Sequence, residues 1–258
     1  MLVVISILGI LAALTVPALK NLGKSNIQVS AARQMLDDVA RARQLAMSQR
    51  TTVYMVFVPA NFWSYQSAAV NALPVTTNLC DKQFTGYTFV TLRSVGDQPG
   101  QGVPQYLSEW KVLPEGSFIA VNKFNTSYAY NSSSPNANGY LITDYAANLA
   151  YGVNSFNYTN TLPFPAETNF NSTLWLPFIA FNYLGQLTVD GLNIAPQDEY
   201  IPLAQGYPVY AVDANKAFQL SPATFAEAPP GNSTNSMFNV IHIDHLTGRA
   251  ALLQQKVP

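Results

Sequence analysis

The first nineteen residues, MLVVISILGILAALTVPAL, carry no charge. A helix of about 20 apolar residues spans the hydrocarbon core of a bilayer, so such a run restricts a chain more than anything that follows it. Ser6 and Thr15 are its only hydroxyl side chains, and both can bond back to a helix carbonyl. Gly9 and Pro17 are helix breakers that membrane helices tolerate better than water-exposed ones. Lys20 and Lys24 close the run where a headgroup region would lie. A secretory signal peptide would open on a basic stretch and end at a small-residue cleavage site. Here apolar residues follow Met1 at once, and the pattern runs on into a helix. A plain membrane anchor stays open on length alone.

Ser25 or Asn26 can cap a new helical segment. Residues 27 to 50 read IQVSAARQMLDDVARARQLAMSQR. Ala32, Met35, Leu36, Val39, Ala42, Leu45 and Ala46 recur at spacings of three and four, which makes one apolar stripe. Arg33, Asp37, Arg41 and Arg43 lie largely off it. The expectation is one long helix whose first half is apolar all round and whose second half packs on a domain, with a bend available at Gly23.

The rest reads as β structure. Thr51-Thr52-Val53-Tyr54-Met55-Val56-Phe57-Val58 is β-branched and aromatic almost throughout and ends at Pro59. Tyr87-Thr88-Phe89-Val90-Thr91-Leu92 is a second strand. Residues 94 to 104 are rich in Gly, Pro and Gln and read as a loop. Pro114-Glu115-Gly116 separates two short strands. Phe178-Ile179-Ala180-Phe181-Asn182 and Gln186-Leu187-Thr188-Val189 form a hairpin with Gly185 at positive φ. Pro202 reads as a strand end or an edge. Asn239-Val240-Ile241-His242-Ile243-Asp244, a turn at Leu246-Thr247-Gly248, and residues 249 to 253 read as a terminal hairpin.

The apolar segment from Leu2 to Leu19 resembles the N-terminal helix of type IV pilins and pseudopilins, chiefly in its Ile-Ser-Ile-Leu-Gly-Ile-Leu-Ala-Ala core followed by a Pro. This match covers under a tenth of the 258 residues. A helix ending ARARQLAMSQR that runs straight into a strand is similar to the minor-pseudopilin branch, the H subunit of type II secretion and the FimT-like pilins. So are Trp110…Leu113-Pro114-Glu115-Gly116, Phe178-Ile179-Ala180-Phe181…Gly185 and Leu246-Thr247-Gly248-Arg249, in that order along the chain. Insertions near 59–104 and 122–173 depart from the pattern.

The resemblance implies an α+β, pilin-like fold: a long hydrophobic-then-amphipathic helix packed on an antiparallel β-rich body. Residues 1–24 would form the transmembrane or filament-core helix, 25–50 its amphipathic half and 51–258 the globular domain. Leu2, Val3, Val4, Ile5, Ile7, Leu8, Gly9, Ile10, Leu11, Leu14 and Pro17 would pack in the filament core. Ala32, Met35, Leu36, Val39 and Leu45 would hold helix to domain. The implied function is a structural subunit of a type IV pilus-like filament or a secretion pseudopilus. Its implied partners are other pilin-like subunits, a prepilin peptidase and an assembly machinery. The implied location is the inner membrane, single-pass, with the domain periplasmic or extracellular, and a cell-surface filament or pseudopilus after assembly. A membrane-anchored β-domain acting as a binding module or adhesin is the alternative. In the family a Gly, a Phe and a Glu precede the matched segment. Their absence, and two lysines on the outer side of the helix, lead us to expect that translation begins upstream of Met1.

Charged residues make up only 10% of the chain and the net charge is -1, so no basic excess points to nucleic acid. Arg249 and Lys256 are too few to make a phosphate-binding C-terminus, and no nucleic-acid partner is expected. The aromatic content, 12%, suits a β-rich extracytoplasmic surface. The single cysteine, Cys80, leaves no intrachain disulfide and reads as a small buried side chain. No nucleophile elbow, phosphate loop or zincin motif is present, so neither an enzyme nor a cofactor is expected. His242-x-Asp244-His245 is the one cluster that could tempt a metal. On a strand His242 and Asp244 share a face and His245 points away, which leaves two ligands and no expected metal site. Asn125, Asn131, Asn157, Asn171 and Asn232 each begin an Asn-x-Ser/Thr triplet and read as exposed loop positions.

Overall fold

The computed structural model describes residues 27–93, 96, 102–128, 140–144, 149–156, 164–166, 169–233 and 239–254. One helix, α1, occupies residues 27–49. The strands are β1 (Val53–Phe57), β2 (Gly86–Thr91), β3 (Gln105–Tyr106), β4 (Lys111–Val112), β5 (Ser117–Ile119), β6 (Tyr140–Asp144), β7 (Leu149–Val153), β8 (Phe164–Ala166), β9 (Asn169–Leu174), β10 (Phe178–Phe181), β11 (Leu187–Thr188), β12 (Glu199–Val209), β13 (Thr224–Glu227), β14 (Asn239–Ile243) and β15 (Ala250–Gln254). Two short helices, α2 (Ala68–Asn71) and α3 (Pro74–Asn78), follow β1.

The strands make two main sheets. The first runs β11-β10-β1-β2-β3 with β4 beside β2, and the second runs β13-β12-β14-β15 with β5 beside β12. All these pairings are antiparallel.

The core lies between α1 and both sheets. Ala31, Ala32, Met35, Val39, Ala42 and Ala46 of α1 meet Val53, Met55 and Phe57 of β1, Phe89 of β2, Phe118 of β5, Ile201 of β12 and Ile241 of β14. Small residues along the helix let it approach the strands closely, and aromatic rings then fill the seam between the sheets. Phe57 stacks on Phe156 at 4.4 Å between centroids, and Phe84 meets Phe124 and Phe225 edge-on. Many of the aromatics thus sit inside the protein rather than on the surface that composition suggested.

Each sheet is also covered on its outer side. Tyr54, Val56 and Val58, the alternate residues of β1 and its exit, bury against Phe62, Val70, Val75 and Leu79 from the segment after β1. This explains why all five residues of β1 are buried, as a strand covered on both faces requires. On the second sheet, Ile142 and Val153 of the β6–β7 hairpin pack on Val240 of β14. Parts of the two insertions, the segment from Phe62 to Leu79 and the β6–β7 hairpin, therefore cover the outer faces of the sheets.

Several expectations are corrected. Among the described residues the fold is mostly antiparallel sheet with one N-terminal helix on a β-rich body, and no helix there is the long hydrophobic-then-amphipathic one expected. The helix that packs on the sheets is residues 27–49, and its outer face carries exposed Arg33, Asp37 and Arg41, which no bilayer would accept. No helix among the described residues is long and apolar enough to cross a membrane, so the single-pass inner-membrane location is not supported. The apolar run of residues 1–24, with Leu2 to Pro17, lies outside the described residues.

Pro202 is neither a strand end nor an edge: β12 runs through it between β14 and β5. Its carbonyl accepts from Ala120 N–H at 2.9 Å just past β5, so its missing donor falls where that ladder stops. Asn232 is buried rather than exposed, because its side chain bonds Gln205 N, Gln205 O and Pro229 O.

Candidate functional site

The last turns of α1 reach the point where the two sheets meet. Here the hairpin turn between β10 and β11 lies against the turn between β14 and β15. Leu187 N–H donates to His245 O at 3.0 Å, which joins the two turns directly. Arg43, on α1, closes the junction: its Nε is 2.7 Å from Thr247 O and 3.3 Å from Gly185 O. One N–H shared by two carbonyls fixes the helix end against both turns.

Two glycines make that approach possible. Gly185 has φ +80°, and a Cβ there would stand 2.9 Å from Met47 Sδ and 3.0 Å from Arg43 Nε. Gly248 has φ +61°, and a Cβ there would stand 2.0 Å from Gly185 O. The backbone angle favours glycine at both positions, and at Gly248 the nearby backbone oxygen also leaves no room for a Cβ. Three of the four short segments that carried the family resemblance, the end of α1, the Gly185 turn and the Gly248 turn, thus converge on one arginine. Tyr183, Leu184 and Leu246 stand exposed around it.

A second constellation lies on the far side of the same terminal turn. Asp198, the residue before β12, receives both histidines of the chain. His242 Nε2 lies 2.8 Å from its Oδ2, and His245 Nδ1 lies 2.6 Å from its Oδ1. His245 N–H also donates to Oδ1 at 2.9 Å. An ionised carboxylate can only accept, so each imidazole is the donor. Partial burial pushes the Asp198 pKa up, but the bonds from His245 and His242 outweigh it and leave the group at about 2. Asp198 and Asp244 lie just past the Glu199↔Ile243 pair that ends the β12–β14 register. The Asp244 side chain bonds Thr247, which lowers its pKa. Asp198, Asp244 and His245 each offer a ligand atom within 4.8 Å of the others.

The expectation that His245 points away from the strand-face pair is thus corrected. The strand ends at Ile243, so strand alternation no longer governs the residues after it. Asp198 was missed because it is 44 residues from His242 in sequence. The one available signal was that two histidines so close together want a carboxylate from a neighbouring strand.

The helix–domain packing residues fall into two groups. Ala32, Met35 and Val39 are fully buried, whereas Leu36 and Leu45 pack at the margin of the core. Asp38, which the apolar stripe passes over, is buried and bonds Tyr87 Oη at 2.6 Å and Lys111 Nζ. Cys80 is buried and free, with Sγ against Thr76 O. Lys123 is entirely buried and bonds Glu199 and Asn154 O, tying the turn after β5 to β12. A groove of about 710 Å³ runs between Trp110, Phe218, Leu79, Asp81 and Lys82 on the surface of the first sheet's outer layer.

Compared with protein-family models, curated proteins and solved structures, the chain matches none of them.

Proposed function

We propose that this protein is a structural subunit of a pilus-like filament or a secretion pseudopilus, acting by assembly with other such subunits. The observation that carries the proposal is the junction at Arg43. Segments that match by chance have no reason to meet in space, yet the end of α1, the Gly185 turn and the Gly248 turn form a single unit. The sequence of residues 2–19 adds to it, since the family resemblance is most specific there. The exposed Tyr183, Leu184 and Leu246 offer apolar surface for a neighbouring subunit. Prepilin peptidase and an assembly machinery belong to this reading as partners.

An epitope inserted between Asn215 and Lys216, both exposed, leaves the sheets untouched and tests the proposal. Filaments sheared from cells that make the tagged chain should bind the antibody along or at the tip of the fibre. Tagged chain found only outside the filament fraction would refute it.

A further inference from the structure

We propose that Asp198, Asp244 and His245 bind one divalent transition-metal ion of the Zn²⁺ type, with His242 orienting Asp198 from behind. The first ground is charge. Asp198 and Asp244 lie just past the Glu199↔Ile243 pair that ends the β12–β14 ladder, each with a carboxylate oxygen within 4.8 Å of the other's, and like charges so close repel. A divalent cation between them reverses the sign of that interaction.

The second ground is the donor set. Asp198 turns one oxygen, Oδ1, toward His245 Nδ1 and the other, Oδ2, toward His242 Nε2. His242 is itself held by Tyr200, whose ring stacks on it at 4.9 Å with 23° between the planes. A ligating carboxylate fixed through its second oxygen by a positioned imidazole is the outer-shell arrangement that metal sites use. The hydrogen now shared by His245 Nδ1 and Asp198 Oδ1 stands where the ion would bind, so in the metal-bound form the imidazole carries its hydrogen on Nε2.

Two carboxylates and one imidazole leave at least one coordination position to water, as in open zinc sites. The nitrogen ligand favours a transition ion over Mg²⁺ or Ca²⁺, which prefer all-oxygen shells. The bound ion would fasten the start of β12 to the terminal turn, whose Thr247 carbonyl receives Arg43.

The purified chain, stripped with chelator, is titrated with ZnCl₂ by calorimetry, with MgCl₂ as the parallel probe. We expect one equivalent of Zn²⁺ per chain and no saturable Mg²⁺ binding. His245→Ala and Asp244→Asn should each abolish it. His242→Phe, which keeps all three ligands, should weaken it roughly 10- to 100-fold. Thermal melting of the metal-free variants shows that each is folded, and Co²⁺ substitution reads the nitrogen ligand through its visible absorption. Absence of saturable Zn²⁺ binding overturns the proposal. So does undiminished binding by the folded His245→Ala and Asp244→Asn variants, or a Mg²⁺ affinity equal to that for Zn²⁺.

Discussion

Gly248 shows how one residue without a side chain holds three elements together. In Gly248→Ala the new Cβ meets a backbone oxygen, not the movable end of a side chain, and the residue keeps an unfavourable positive φ. The backbone angle alone costs about 1–2 kcal/mol, and the clash adds to it. Urea denaturation should show a loss of at least about 2 kcal/mol with an unchanged slope; a loss near zero would mean that the turns separate freely. Lys123 is the opposite case, a residue whose charge needs company. Burial pushes its pKa down, and Glu199 pulls it back up. Glu199→Ala should cost about 3–5 kcal/mol, because it strands a buried ammonium. Lys123→Met should cost clearly less: it removes the charge and leaves Glu199, whose side chain is 24% exposed, free to be hydrated. Equal losses from the two variants in denaturation would count against the pairing account.

At the scale of the element, α1 is held by two kinds of contact. Its apolar face buries Met35 completely and Leu36 only in part. Met35→Ala should therefore cost about 2–5 kcal/mol and Leu36→Ala visibly less, as read from denaturation midpoints. The reverse order would mean that the helix is rotated about its axis. Its polar contact is Asp38, which joins Tyr87 of β2 and Lys111 of β4 to the helix, while Gln34 reaches Tyr87 Oη and Val112 O. The helix is thus locked in register along its axis, which a stripe of small apolar residues alone would do poorly.

At the scale of the whole molecule, the cover on the outer face of the first sheet buries Tyr54, and α1 on its inner face buries Tyr87. Burial, aided by the Asp190 charge, pushes Tyr54 up to about 12. Tyr87 is raised further, first by burial and then by Asp38. In the unfolded chain these hydroxyls ionise near pH 10. Above that pH the unfolded state binds fewer protons than the native one, so stability falls as pH rises. For Tyr54 the stability is fully present below pH 10 and is lost between pH 10 and about 12. Each such tyrosine steepens the fall by about 1.4 kcal/mol per pH unit. Denaturation at a series of alkaline pH values should show a shallower decline in Tyr54→Phe than in the parent chain. Parallel declines would mean that Tyr54 ionises in the native state.

The sequence by itself determined the elements whose signals are local. The spacing in residues 27–50 gave a helix with the right face inward, because helical period depends only on neighbours three and four apart. The hairpins β10–β11 and β14–β15 and the glycine of each turn were legible for the same reason: turn chemistry is written within a few residues. Only the tertiary structure decided what covers each face. Pro202 reads as a strand end or an edge until β5 is known to end beside it. The insertion near 59–104 has no role in the sequence until β1 is known to need a cover on its second side. Asp198 gains its meaning only from the β12–β14 register, which carries it to two histidines 44 and 47 residues away. Those outcomes depend on pairings between distant strands, and such a pairing is set by the sum of the burial it permits rather than by any residue pattern within either strand.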